Sequence, residues 1–211
     1  MMSPHPSLAP IPSHLCHLFT DWTGEMPEGG WLASEKIDGW RAPWYRSDFH
    51  TRNGMTLNGV DHLAPVLRMM EEIAGGPLFF DAEFQVEGTL AATKAYCEGG
   101  WKAGPQGKLY LFDMLPMDDW RAGGGDLLLT DRLALLAALY EQAKAHPLSW
   151  ELEPRIWDSV VILPHEQMDC PAAIRRLARL VWDNGGEGLV LKSPKSPYVR
   201  ERTGLWRKVK R

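Results

Sequence analysis

Three residues that could act together on a phosphate lie within the sequence KIDGWR: Lys36, Asp38 and Arg41. A neutral lysine amine is a nucleophile, an arginine fork matches phosphate oxygens, and a carboxylate is a hard-oxygen ligand for Mg²⁺. The pattern therefore predicts chemistry on a phosphate with a bound metal. Asp-Gly lies between two alternating runs, 31–34 and 40–46, and predicts a β-hairpin with Lys36 and Arg41 beside its turn.

Length and composition favour an ordinary globular protein. The 211 residues suffice for one large domain, and 45% hydrophobic and 24% charged residues are typical values. No apolar run approaches the ~18 residues of a membrane span, and the N-terminus lacks a signal-peptide pattern. Cys16, Cys97 and Cys170 lie too far apart for a disulfide framework or a zinc site. We expect a cytoplasmic protein without a membrane partner.

The net charge of −4 conceals an asymmetry along the chain. Residues 192–211 hold eight Lys/Arg and one Glu, whereas residues 1–191 hold 15 Lys/Arg and 26 Asp/Glu. A polyanion is therefore expected to meet the C-terminal segment. A solvated basic tail is the alternative, but Tyr198, Trp206 and Val209 are interleaved with the charges and favour a strand.

Periodicity predicts separate helices and strands. Helices are predicted over 60–74, 89–98, 130–146 and 169–184, and strands over 77–86, 108–115, 159–163, 189–192 and 205–209. The third helix is expected to begin at a cap from Thr130 or Asp131 and to bury Leu133, Leu136, Ala137 and Tyr140. These elements predict an α+β domain over residues 31–211, with mostly antiparallel sheets flanked by helices. Residues 1–30 are predicted to be an irregular N-terminal arm.

Six segments resemble, in the same order, the motifs of the covalent nucleotidyltransferases, which include ATP-dependent DNA ligases, RNA ligases and mRNA capping enzymes. The first is the segment 34–41. The others are Thr51-Arg52-Asn53-Gly54, Phe80-Asp81-Ala82-Glu83-Phe84, Tyr110-Leu111-Phe112-Asp113, Glu187-Gly188-Leu189-Val190-Leu191-Lys192 and Trp206-Arg207-Lys208-Val209-Lys210. Ala82 stands where the family usually has glycine. The match spans residues 31–210 and resembles the adenylation domain of an ATP-dependent DNA ligase, which implies an ATP-grasp-like nucleotidyltransferase fold.

The resemblance implies that Lys36 is the nucleophile and takes AMP covalently from ATP. Because an ordinary lysine is charged at neutral pH, nearby cations that disfavour the ammonium are expected, with Arg41, Lys208 and Lys210 as candidates. For an isolated segment, a surface lysine in a hairpin would be the simpler interpretation. Lys208 and Lys210 lie two apart on a strand, so they share a face and are expected to hold the α-phosphate.

The resemblance also implies a metal site at Glu187, assisted by Asp38, and Mg²⁺ suits oxygen ligands beside phosphates. An exposed acid before a strand is the alternative for Glu187. Lys192 lies five residues further on, which in a regular strand is the opposite face. A bulge at Gly188 would bring both into the cleft.

Five further residues are implied as contacts to nucleotide or nucleic acid. Glu83 would bind the ribose hydroxyls, and Phe112 would stack on adenine, with plain core packing as its alternative. Ser34 would contact adenine. Some relatives carry Glu at that position, and here Glu35 comes one residue later, which leaves purine recognition open. Arg52, together with Arg41, is a candidate for the 5′-phosphate of a nucleic acid.

The motifs match DNA ligases better than the alternatives, RNA ligases and capping-type enzymes. The resemblance implies three steps: lysyl-AMP formation, AMP transfer to a 5′-phosphate at a nick in double-stranded DNA, and sealing by the 3′-hydroxyl. DNA ligases usually continue into an oligonucleotide-binding barrel, and no such segment follows the last motif here. We expect a monomer that is an excised core, a minimal enzyme aided by a separate domain or partner, or a remnant that binds without catalysis.

Overall fold

The fold is built from two β-sheets and six α-helices in the computed structural model, which describes residue 12 and residues 14–211. The helices are α1 (Ala64–Ala74), α2 (Leu90–Cys97), α3 (Met117–Arg121), α4 (Leu129–Ala145), α5 (Pro154–Asp158) and α6 (Pro171–Asp183). The strands are β1 (Leu18–Asp21), β2 (Trp31–Glu35), β3 (Trp40–Arg41), β4 (Trp44–Tyr45), β5 (Asp48–Phe49), β6 (Leu78–Gln85), β7 (Lys108–Pro116), β8 (Val160–Ile162), β9 (Glu166–Met168), β10 (Gly188–Lys192) and β11 (Arg202–Lys210).

The two sheets are mostly antiparallel. The first has the strand order β1-β11-β10-β2-β9 and the second β5-β4-β6-β7-β8, with β3 also paired to β6. Only the pairs β1–β11 and β7–β8 are parallel among the described strands. The predicted α+β class, with mostly antiparallel sheets flanked by helices, is confirmed.

The hairpin predicted around Asp38-Gly39 is wrong. Strand β2 pairs with β10 on one side and β9 on the other, so it has no free edge for β3. Strand β3 instead pairs with β6 in the second sheet. Residues 36–39 therefore cross from one sheet to the other. Gly39 permits the crossing, because a Cβ there would lie 2.3 Å from the carbonyl oxygen of Phe84.

The predicted helices are present, but the buried face of α4 differs from the prediction. No side chain caps its N-terminus, where Leu128 precedes the first turn. Leu136 and Tyr140 are buried as predicted, but Leu133 is only partly buried and Ala137 is exposed. Leu139 and Arg132 are buried as well, and Arg132 forms an ion pair with a carboxylate of β7. A hydrophobic stripe alone cannot reveal a buried arginine.

Three strands were not predicted: β1, β9 and the two-residue β5, which pairs with β4. Strand β1 lies within the stretch expected to be irregular, and it pairs with β11 so that Asp21 lies opposite Lys208. Strand β9 follows β8 and pairs with β2. The earlier part of the predicted arm, residues 1–11 and 13, lies outside the described residues. Of the helices in the described part, none has the length and apolarity required to cross a membrane.

The interface between the sheets contains apolar side chains and two buried ion pairs. Trp206 and Phe112, one from each sheet, belong to the same buried hydrophobic cluster. Beside them, Arg132 donates to Asp113 through Nε at 2.7 Å and Nη2 at 2.9 Å. A second buried pair joins Arg41 and Asp81. The interior near the cleft is therefore ionic as well as hydrophobic.

Substituting Asp113 with alanine should strongly destabilise the fold. Arg132 is fully buried, and losing its partner would leave an uncompensated charge, which typically costs about 3–5 kcal/mol. The free energy of unfolding, measured by urea denaturation, checks this. The matched control is Asp118→Ala, since Asp118 is 89% exposed in its pair with Arg121 and should change stability by less than about 1 kcal/mol. Equal losses in the two variants would contradict the assigned role of the buried pair.

Candidate active site

A cleft of about 560 Å³ opens between the two sheets. Eight of the twelve predicted site residues line it: Ser34, Glu35, Lys36, Arg41, Arg52, Glu83, Phe112 and Lys192. The crossing segment after β2 supplies the lysine, β6 and β7 supply the second-sheet wall, and β10 supplies Lys192. Residues as far apart in the sequence as Ser34 and Lys192 thus converge because the two sheets face each other.

Glu187 links Lys36 to the end of β11. Its Oε2 accepts a hydrogen bond from Lys36 Nζ at 2.5 Å, and its Oε1 forms an ion pair with Lys210 Nζ. Partial burial alone would raise the pKa of Glu187, but the hydrogen bonds from Lys210 and Lys36 lower it below its ordinary value. The carboxylate is therefore charged at neutral pH.

The contacts of Lys36 differ from the expected ring of cations. The sequence analysis placed Arg41, Lys208 and Lys210 around the amine, but its hydrogen-bond partner is the Glu187 anion. Lys208 lies 3.3 Å from Asp21 of β1 instead. Of the predicted cations, Lys210 shares the Glu187 carboxylate with Lys36. The Lys36 amine is thus held by an anion rather than surrounded by cations.

Trp206, Lys208 and Lys210 alternate along β11 and share one face of the strand, as their spacing predicts. Trp206 is fully buried at the inner end of this face, where it stacks on His17 with ring centroids 4.3 Å apart. Lys210 at the outer end is 45% exposed. The face thus runs from the core to the cleft entrance, which explains why a tryptophan shares it with two lysines.

Lys192 lines the cleft and Glu187 contacts Lys36 beside it, without the predicted bulge. Asp38, Glu187, Lys208 and Lys210 are the four predicted site residues that do not line the cleft. Strand β10 begins at Gly188 and keeps a regular register with β11. Glu187 therefore lies outside the strand, and its side chain does not follow the alternation of side chains between the two faces of the strand. Gly188 has φ of 148°, and a Cβ there would lie 2.0 Å from the carbonyl oxygen of Val209. Glycine is therefore required at this bend.

Lys192 is a buried amine that connects the two sheets. Its Nζ donates to the carbonyl oxygen of Phe112 at 2.7 Å and lies 4.1 Å from the ring centroid of Trp206. Burial lowers the pKa of Lys192 to about 7, although Asp113 and Asp81 act to raise it. Lys192 is therefore partly neutral near physiological pH.

Arg41 is fixed by a carboxylate that the sequence analysis did not assign. Its Nε and Nη2 donate to Asp81 at 2.6 and 2.5 Å, and the Tyr198 hydroxyl donates to the same carboxylate at 2.7 Å. The guanidinium carbon also lies 4.7 Å from the Phe112 ring centroid. With its fork engaged, Arg41 is positioned to orient Phe112, whereas Arg52 is exposed at the cleft mouth. The sequence analysis pointed to Asp81 only through its position in the 80–84 motif and assigned it no role.

Glu83 and Ser34 present polar atoms to the cleft. Burial raises the pKa of Glu83 to about 7, against Arg41 and Lys36, which act to lower it. Ser34 is buried, and its Oγ has no hydrogen-bond partner in the described part of the chain. Such an atom is normally satisfied, so it is an available contact for a polar ligand. Glu35 lies nearby at the cleft edge and is exposed.

Asp38 and Glu187 were predicted to bind a metal ion together, but the structure does not show them as a preformed metal site. Asp38 Oδ2 accepts from the backbone amide of Leu90 at 3.2 Å, while Glu187 holds two lysines. Within residues 14–211, no group of three or more His, Cys, Asp or Glu side chains is placed to hold a metal ion. Mg²⁺ commonly uses one or two carboxylates together with substrate phosphates, and this donor set fits Glu187.

Comparison with known proteins identifies similar ligases. No protein-family model matches the chain. A DNA ligase of Haemophilus influenzae is 26% identical over 185 residues, which are 88% of this chain and 59% of that protein. The chain thus spans less than two thirds of the relative's length.

Solved structures show the same fold. The ATP-dependent DNA ligase of bacteriophage T7 in complex with ATP has a TM-score of 0.73 and 17% identity, over 93% of this chain and 68% of that one. A Chlorella virus DNA ligase–adenylate has a TM-score of 0.67 and 19% identity, over 94% and 67%. The resemblance given by the six motifs is confirmed, and the chain has the fold of the nucleotidyltransferase domain of ATP-dependent DNA ligases.

The raised pKa of Glu83 predicts a pH-dependent stability difference between wild type and Glu83→Gln. Between the ordinary value of 4.5 and the folded value of about 7, the folded protein binds more protons than the unfolded chain, so ionisation of Glu83 destabilises the fold as pH rises. Glutamine does not ionise, so the variant lacks this pH-dependent loss of stability. The variant should therefore gain stability relative to wild type across that range, by about 1–3 kcal/mol.

Chemical denaturation of both proteins at several pH values between 4 and 8 (roughly the span that brackets both pKa values) tests this. Subtracting the two curves removes the shared contributions of other groups, such as His17, whose pKa burial lowers to about 3. A difference that does not change with pH would show that Glu83 titrates normally.

Proposed function

We propose that the chain is the catalytic core of an ATP-dependent DNA ligase, with Lys36 as the nucleophile that becomes covalently linked to AMP. One observation carries the proposal. The Lys36 amine lies in the cleft, 2.5 Å from Glu187, which also binds Lys210 at the end of β11. Motif segments from both ends of the chain thus meet at one amine.

In the first step, neutral Lys36 Nζ attacks the α-phosphorus of ATP. A nitrogen–phosphorus bond forms, the bond to the β-phosphate oxygen breaks, and pyrophosphate leaves with its electron pair. The ammonium must first lose a proton to water and leave Glu187, and the nitrogen loses a second proton to water once its bond to phosphorus has formed. An arriving α-phosphate offers Lys210 an alternative anion, and a lysine there would stabilise the charge that gathers during transfer.

The nucleoside is proposed to occupy the inner cleft. Ser34 Oγ lacks a partner in the described part of the chain, so it supplies a polar contact for adenine, and Phe112 supplies an apolar ring. Arg41 and Lys192 lie 4.7 and 4.5 Å from the centroid of that ring and hold it in position. Glu83, half-buried on β6, is placed to accept hydrogen bonds from ribose hydroxyls.

Mg²⁺ is proposed to bind at Glu187, with Asp38 as the second candidate, together with oxygens of the nucleotide phosphates. When bound, the ion would neutralise negative charge on those phosphates. The role of the chain is to provide a carboxylate beside the nucleophile. A metal ion on Glu187 would compete with Lys36 and Lys210 for the same oxygens.

In the later steps, a nicked DNA duplex replaces pyrophosphate at the cleft. The 5′-phosphate at the nick attacks the phosphorus of the lysyl-AMP, and the lysine leaves as a free amine. The 3′-hydroxyl then attacks the activated 5′-phosphate, forms the phosphodiester and releases AMP. Arg52 is exposed at the cleft mouth and is the proposed phosphate contact.

Lys36→Ala should abolish covalent labelling by α-labelled ATP in the presence of Mg²⁺, because in the described part of the chain Lys36 is the lysine that both lines the cleft and contacts Glu187. The measurement is the retention of label on denatured protein. Lys144→Ala is the matched control, since Lys144 lies exposed on α4, and it should label like wild type. A label that persists in Lys36→Ala would contradict the assignment, and no label on wild type would favour a binding remnant.

Substrate identity is tested by parallel reactions with nicked DNA, nicked RNA and GTP. Sealing of nicked DNA with ATP is the predicted result. Sealing of nicked RNA alone would indicate an RNA ligase, and covalent labelling by GTP would indicate a capping-type enzyme.

Nick binding should weaken steeply with salt, because cations at the cleft mouth and along residues 192–211 would release counterions from DNA. With three to four neutralised phosphates, affinity should fall roughly 40- to 150-fold between about 50 and 200 mM salt. Fluorescence anisotropy of labelled nicked DNA measures this. An affinity independent of salt would exclude phosphate contacts as the main source of binding.

A further inference from the structure

A second groove, here called the Trp101 groove, continues from the candidate active site. It has a volume of about 430 Å³ and shares Trp40, Thr51 and Met55 with the cleft wall. Its outer part is formed by Trp101 and Lys102. The groove is therefore an extension of the cleft along the surface, on the side of the 51–54 turn.

Two large apolar side chains are unusually accessible here. Met55 is 70% exposed and Trp101 is 40% exposed. Single exposed apolar residues are ordinary on protein surfaces, but these two line one groove that leads to a reactive lysine. Neither the fold nor the nucleotide site requires them at the surface.

The loop around Trp101 is held in place. The Tyr96 hydroxyl donates to the carbonyl oxygens of Gly59 and Gly104, at 3.0 and 3.3 Å, and accepts from the amide of Gln106 at 3.1 Å. Trp101 packs so closely on Gly59 that a Cβ there would lie 2.7 Å from the Trp101 Cβ. The indole is thus presented on a fixed loop, which reduces the entropy lost on binding.

The surrounding charge favours an anionic partner. Lys102 Nζ lies 5.9 Å from the Trp101 ring centroid, and Arg52 and Lys94 lie on the adjoining cleft wall. One acid, Glu98, also lines the groove, and it is paired with Lys94 at 3.6 Å. Aromatic surfaces flanked by cations are typical of sites that bind nucleic-acid strands.

We propose that the Trp101 groove binds the polynucleotide strand next to the reacting end, an inference that rests on the proposed ligase function. Trp101 and Met55 contact the apolar faces of a sugar and base, and Lys102 contacts a phosphate. Because the groove joins the cleft at Trp40 and Thr51, a strand lying in it has its end directed towards Lys36. The groove thus adds duplex-holding surface on the nucleotidyltransferase domain itself.

Trp101→Ala should weaken binding of nicked DNA about 5- to 100-fold, the range that alanine substitution of a stacking aromatic residue produces. Trp101→Phe should recover most of the loss, because it keeps an aromatic face. The matched control is Trp150→Ala, since Trp150 is 82% exposed on a different part of the surface, and it should bind like wild type. Fluorescence anisotropy measures affinity, and thermal unfolding shows that each variant is folded.

Met55→Ala provides a second test that does not depend on the loop, and it should also lower the affinity. If Trp101→Ala does not fold, this variant decides the question. Wild-type affinity in folded Trp101→Ala, or an equal loss in Trp150→Ala, would overturn the proposed groove and leave the ligase function intact. A wild type that neither takes label from ATP nor binds nicked DNA would overturn the proposed function itself.

Discussion

The carboxylate of Glu187 is the contact on which the geometry of the cleft depends. It joins Lys36, which lies where the chain crosses between the sheets, to Lys210 at the end of β11. Gly188 makes this contact possible, because its φ of 148° places Glu187 outside strand β10. The Lys36 amine is therefore held by an anion. Under the proposed function, nucleotide phosphates and Mg²⁺ would separate the pair, since each would replace one of its partners.

Charged and polar residues buried beneath the cleft fix the position of its two walls relative to each other. Asp81 binds both Arg41 and Tyr198, and Lys192 reaches from β10 to the backbone of β7. Buried charges are costly unless they are paired and hydrogen-bonded. Arg41 and Asp81 are paired, and Lys192 is hydrogen-bonded to a backbone carbonyl oxygen. These residues therefore specify how the two sheets face each other, which apolar packing between Trp206 and Phe112 would define less sharply.

The sequence revealed the elements and most of the cleft residues, but not their contacts. Periodicity predicted α1, α2 and α6, and the ordered motifs predicted eight residues that line the cleft. Alternation around Asp38-Gly39 suggested a hairpin. That prediction failed because both edges of β2 are already occupied, which a local sequence pattern cannot show. The pairing of Arg41 with Asp81 and the burial of Arg132 also depend on long-range packing. For the same reason, the spacing along β11 predicted that Trp206, Lys208 and Lys210 share one face, but not that Trp206 is buried in the hydrophobic core.

The central claim is that Lys36, and no other amine of the cleft, carries AMP. Lys192 is the informative rival, because burial lowers its pKa to about 7 and it also lines the cleft. The most direct measurement is peptide mapping by mass spectrometry after incubation with ATP and Mg²⁺ and acid-free digestion. The account predicts a single AMP on the peptide that contains Lys36. AMP on the peptide that contains Lys192 or Lys210 would contradict it.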